Sequence, residues 1–195
     1  MFKKNITILY VALSMALSMA FSSNSVARDL SYTSVGITYK QSNSGIGGSA
    51  LQHSLSFGVS DNAFVAGSFT DGEYDFGGQI SAFDFVLGTH TEISENTDLV
   101  AAVSYTRSES DLLTFTDELE TFSLTASIRS VINDVLEVNA TLGYMDPVDF
   151  YEDTYIQLGA AFYATDVLSF RIDFTTNDRI MLAPDALNLS LRLDM

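Results

Sequence analysis

Residues 186–195 read Ala-Leu-Asn-Leu-Ser-Leu-Arg-Leu-Asp-Met. Leu187, Leu189, Leu191 and Leu193 alternate there with Asn188, Ser190, Arg192 and Asp194. An apolar residue at every second position defines an extended strand with one greasy face. The same period recurs upstream. Leu55, Phe57 and Val59 alternate with Ser54, Ser56 and Gly58, and Phe83, Phe85 and Leu87 share a face. Phe122, Leu124, Ala126 and Ile128 form another such row, as do Leu136, Val138, Ala140, Leu142 and Tyr144, and Leu168, Phe170, Ile172 and Phe174. Ten strands are expected, near residues 30–39, 50–59, 63–70, 80–90, 98–107, 120–130, 135–145, 154–163, 167–175 and 186–194. In the third, Phe64/Ala66 and Val65/Phe69 compete for the apolar face.

The connections alternate in kind. Ser60-Asp61-Asn62, Ser94-Glu95-Asn96, Asn133-Asp134 and Thr165-Asp166 are tight, and Asp and Asn cap local backbone groups and tolerate left-handed geometry there. The others, near 41–48, 71–79, 108–119, 146–153 and 176–185, are expected to be longer acidic loops. Short turns at one rim and longer loops at the other describe an up-and-down barrel of the outer-membrane kind, with the tight turns in the periplasm. An even strand count keeps both ends of the chain on the short-turn side. Ten satisfies this, and eight would follow if the first and third stretches were not strands.

The two faces decide the surroundings. A soluble barrel would carry charge on its outer face, whereas here the second face is mostly Ser, Thr, Gly, Ala, Asn and Gln. A small polar face suits a narrow lumen, and a Leu/Phe/Val/Ile face suits lipid. Nothing in lipid satisfies an unpaired strand edge, so the sheet must close. The expected fold is therefore all-β: a transmembrane antiparallel up-and-down β-barrel.

The start of the chain reads as an export signal over residues 1–27. Lys3 and Lys4 precede an apolar run from Ile6 to Phe21, and Ser25-Val26-Ala27 places small residues at a cleavage site. The run is short for a membrane span and is followed at once by Ser22, Ser23, Asn24 and Ser25. The barrel is then expected to occupy residues 28–195, a single domain of roughly 168 residues. Cysteine is absent, which suits a fold stabilised by closed hydrogen-bond ladders. All 25 acids follow Ala27, against Lys40 and six arginines, giving that part a formal charge of −18. Such a surface repels nucleic acid. One lysine after the signal is also unusual for a water-facing surface.

The chain resembles the small single-domain outer-membrane β-barrel proteins, through its repeated S-D/E-N turns, the segment Leu99-Val100-Ala101-Ala102-Val103-Ser104-Tyr105, and the closing ladder. The resemblance implies an outer-membrane location, with membrane lipid, lipopolysaccharide and the barrel assembly machinery as partners. It also implies that Leu187, Leu189, Leu191, Leu193 and Met195 form the assembly signal, with Met195 where an aromatic residue usually stands. A monomer is expected.

Few residues could carry chemistry. The two histidines, His53 and His90, fall at opposite rims, which argues against a joint site. His53 with a serine and a loop acid could imitate a lipid-modifying enzyme, but its expected place is the headgroup boundary. No catalytic residue, metal site or cofactor is expected. Asp71-Gly72-Glu73-Tyr74-Asp75 starts like a calcium loop, yet Ala82 stands where the terminal glutamate belongs. Tyr39, Tyr105, Tyr144 and Tyr155 are expected in the outer aromatic girdle, since tryptophan is absent. The lumen-facing charges are Asp84, Arg129, Glu137, Arg171, Asp173, Arg192 and Asp194, which could either pair across a closed bore or form a charged constriction. The leading expectation for function is a non-enzymatic surface barrel that displays acidic loops. A narrow channel for small solutes comes second.

Overall fold

A computed structural model describes residues 30–42, 47–112, 115–148, 152–177 and 186–195, with the side chains of residues 112, 115–117 and 177 left aside. The expected export signal lies outside the described residues. Ten antiparallel strands run in chain order: β1 (Ser34–Ser42), β2 (Gly48–Ser60), β3 (Ala63–Tyr74), β4 (Gln79–Ser94), β5 (Thr97–Leu112), β6 (Phe115–Asn133), β7 (Leu136–Pro147), β8 (Asp153–Tyr163), β9 (Leu168–Asn177) and β10 (Ala186–Asp194). Each pairs with its chain neighbours, and β1 pairs with β10 to close the barrel. The closing seam aligns Val35, Ile37 and Tyr39 with Leu193, Leu191 and Leu189. Met195 extends it by donating its N–H to the Thr33 carbonyl at 2.9 Å. The eight-strand alternative is thereby excluded, because both the first and the third stretch are strands.

The side chains that alternation put on the apolar face do point outward. Phe57, Phe83, Leu124, Leu142, Leu158 and Phe170 are all exposed, and a band of that composition is what lipid requires. Register settles the third strand: Val65 pairs with Leu87 and Phe69 with Phe83, so these face outward while Phe64 faces in beside Gly88.

Three expectations are corrected. The first strand begins at Ser34 rather than near residue 30. The expected loop near 71–79 shrinks to a turn over residues 75–78, because Asp71 and Glu73 continue β3. Gly77 (φ 87°) and Gly78 (φ 113°) supply the left-handed backbone there, and the Gly77 N–H bonds the Tyr74 carbonyl at 3.0 Å. The expected loop near 108–119 is mostly strand, since β5 runs to Leu112 and β6 starts at Phe115.

These two strands have 16 and 19 residues, where about 9–11 cross a bilayer. Their far ends turn Arg107, Glu109, Glu118 and Glu120 outward, and Arg107 donates to Glu118 at 2.8 Å. Charges on the outer face belong in water, so this hairpin rises above the apolar band. Tyr105 and Phe122 mark the boundary, their ring centres 5.2 Å apart.

The outward assignment predicts a depth-dependent penalty. Leu158 sits midway along β8 between Ala140 and Phe174. Leu158→Arg should destabilise the folded barrel by about 2–4 kcal/mol, read as a lower urea midpoint for unfolding from lipid vesicles. An unchanged midpoint would mean that this face does not meet lipid.

Candidate functional site: the lumen and its tight-turn mouth

Inward positions alternate with the apolar ones, so the strand period alone aims each lumen side chain. The wall is mainly Ser, Thr, Gly and Ala, and the charges fall into two groups. In the half nearer the loops, Asp84 of β4 accepts hydrogen bonds from Ser68 (2.5 Å), Thr106 (2.6 Å) and Gln52 (3.3 Å). Lys40 of β1 also faces in, beside Asn188 of β10. Thr38 and Ser190 bond across the seam at 2.8 Å.

The second group gathers near the tight turns. Arg129 of β6 grips Glu137 of β7 with two parallel bonds, Nε to Oε1 at 2.9 Å and Nη2 to Oε2 at 3.0 Å. Glu137 is 1% exposed and also accepts from the Tyr163 hydroxyl at 2.8 Å. Arg171 of β9 bonds both oxygens of Asp173 through Nε at 2.9 Å, and its Nη1 lies 4.0 Å from Glu137. Arg192 of β10 bonds Asp194 at 2.6 Å. A two-residue spacing on one strand returns to the same face, which is why Arg171/Asp173 and Arg192/Asp194 meet. Each buried guanidinium therefore has a carboxylate, as burial of charge demands.

The structure thus brings Arg129, Glu137, Arg171, Asp173, Arg192 and Asp194 together, and sets Asp84 apart in the other group. Sequence reasoning missed several participants, among them Tyr163, which shares the inward parity. Lys40 and Asp98 share the inward parity and were legible in principle. Tyr32 was assigned to a strand, so its role had no signal. His90 was placed at the correct rim but not in the lumen.

Residues 30–33 leave the wall before β1 and turn into this mouth. The Ser31 carbonyl accepts from Arg192 at 2.7 Å and from Arg129 at 3.3 Å. The Tyr32 hydroxyl donates to Asp98 of β5 at 2.7 Å. Its ring stacks on His90 of β4, with centres 3.7 Å apart and planes 11° apart, and lies 5.2 Å from Phe64 of β3. Arg129 sits over the same ring at 4.9 Å, a cation–π distance. Burial, more than any neighbouring charge, pushes the Tyr32 phenol well above its usual range, so it stays a proton donor to Asp98. Against Tyr32 lies a cavity of about 200 Å³, lined also by Ser127, Asn139, Thr141, Arg171 and Arg192.

Other expected sites fall elsewhere. His53 pairs with Ile37 and Phe69 on the outward face. Tyr155 was expected in the outer girdle but points into the lumen, where its ring covers Gly143. Gly143 leaves the space that ring needs. Among the described residues no group of three or more His, Asp or Glu side chains is arranged to hold a metal ion.

No protein-family model matches the sequence, and no curated protein matches it. Solved structures do. One is an outer-membrane channel from Pseudomonas putida F1, with TM-score 0.56 and 10% identity over 87% of this chain and 97% of that one. Another is the β-domain of the Bordetella autotransporter Brka, with TM-score 0.55 and 11% identity over 86% of this chain and all of that one. A third is the KdgM porin in complex with disordered oligogalacturonate, with TM-score 0.50 and 9% identity over 83% and 99% of the two chains. The chain has the fold of the outer-membrane β-barrels.

The buried Arg129–Glu137 pair predicts an asymmetric mutational response. Glu137→Leu leaves Arg129 buried and unpaired, and should cost about 3 kcal/mol of stability. The double variant with Arg129→Leu should cost less than the two single changes added together. Urea unfolding in vesicles measures both, and additive costs would mean that the pair is not coupled.

Proposed function

We propose that this protein is a narrow outer-membrane channel for small hydrophilic solutes. One observation carries the reading: small polar residues line the wall along the length of the lumen, with matched charges near the tight turns, while large apolar side chains face outward. A barrel serving only as a scaffold for loops has no need of a polar bore, and an apolar core would fill it more cheaply.

This reading takes precedence over surface display, the sequence's first expectation. The long acidic loops on which display rested are largely strand in β3, β5 and β6. Barrels of the same shape include an outer-membrane channel and a porin. The tight-turn mouth is assigned to the periplasm on the general asymmetry of such barrels, and Leu187, Leu189, Leu191, Leu193 and Met195 are assigned to recognition by the assembly machinery. An enzyme reading gains nothing, because His53 stands between Ile37 and Phe69 on the apolar face.

Planar-bilayer recordings test the proposal, using protein whose folding is confirmed by heat-shifted migration on gels. Because Tyr32 occupies the mouth, both the native chain and Tyr32→Ala are recorded. Discrete current steps are expected in at least the variant. Asp84→Asn should move the reversal potential toward anion preference, since it removes a lumen carboxylate. A flat trace from both chains would overturn the channel reading.

A further inference from the structure

We propose that residues 30–33 form a stopper seated in the tight-turn mouth, and that Tyr32 is the residue that sets what can pass. The proposal rests on the channel reading for its consequence, while the seating itself stands on geometry. The segment touches six strands around the bore. Ser56 of β2 donates to the Tyr32 carbonyl at 2.7 Å, and the Gly58 N–H donates to Thr33 Oγ1 at 2.9 Å. Phe64 of β3, His90 of β4, Asp98 of β5 and Arg129 of β6 hold the ring and hydroxyl of Tyr32. Arg192 of β10 and Arg129 hold the Ser31 carbonyl. A side chain that spans from β3 to β6 with its backbone tied to β2 and β10 lies across the lumen rather than along its wall.

Two further features make this a movable closure rather than part of the barrel. Residues 30–32 precede β1 and take no place in the strand ladder, while the Thr33 carbonyl stays tied to the seam through the Met195 N–H at 2.9 Å, so Tyr32 leaves the mouth with every β1–β10 and β1–β2 pair kept. Its ties are polar contacts and ring stacking in a polar bore, which water can replace at low cost. The cavity of about 200 Å³ ends against Tyr32, so a solute entering from the loop end meets that ring. Phe64 owes its position to Gly88, since any side chain there would collide with the ring. The geometry therefore assigns size selection to Tyr32 and its seat, with the arginine–carboxylate pairs beneath as a rigid rim.

The test separates seating from gating. The chain contains no tryptophan, so Tyr32→Trp introduces a single fluorescent reporter. A seated ring gives blue-shifted emission and weak acrylamide quenching, whereas solvent-like emission with free quenching overturns the stopper. Conductance then reads gating. Tyr32→Ala should raise the time-averaged conductance roughly tenfold, the factor expected from losing one stack and its hydrogen bond. Tyr32→Phe keeps the stack and should fall between. Equal conductance in native chain and Tyr32→Ala would overturn the stopper and leave the channel reading standing. Silence in both would overturn the channel reading and the gating role with it, even if the reporter is shielded.

Discussion

Backbone hydrogen bonding in lipid is the constraint on which the rest of this structure depends. A strand edge left open in hydrocarbon costs several kcal/mol per unpaired group, so β10 must return to β1. That seam fixes everything else by parity. Once Leu189, Leu191 and Leu193 align with Tyr39, Ile37 and Val35, a one-residue slip would turn every apolar side chain inward. Lipid outside and a polar bore inside are two consequences of one register.

The bore inherits its chemistry from the same alternation. Small polar residues let ten strands curve around a narrow space, and near the tight turns the charges enter it in matched sets. Arg129 with Glu137, Arg171 with Asp173, and Arg192 with Asp194 sit in the half nearer the tight turns. The anchoring arginines do double duty, since Arg129 and Arg192 also receive the Ser31 carbonyl. Rim and stopper are therefore one hydrogen-bonded unit, and loss of either arginine loosens both.

Much of this was legible in the sequence. Period-two alternation gave the ten strands, the direction of both faces and the inward charges, because each depends only on local parity. Partners on one strand, such as Arg171 and Asp173, follow from a two-residue spacing. Three kinds of feature were missed or misread. The heights of β5 and β6 were hidden because acidic residues on an exposed strand read like a loop. Tyr155 was misplaced because an aromatic near a strand end signals a girdle, although its parity with Gln157 and Gly159 aims it inward, against Gly143. The stopper was invisible because Ser31, Tyr32 and Thr33 continue the composition of the strand that follows them. What turns them out of the wall is a set of long-range bonds to Asp98, Arg129 and Arg192.

The division of each strand between water and lipid can be read most directly by single cysteines along β6, since the chain has none of its own. Cysteines at Thr121, Ser123, Thr125 and Ser127 should react with a small water-soluble thiol reagent in the folded, membrane-embedded protein. Those at Phe122, Leu124, Ala126 and Ile128 should react only with a lipid-soluble one. Reactivity that does not alternate, or that alternates in the opposite sense, would contradict a water-lined barrel set in lipid.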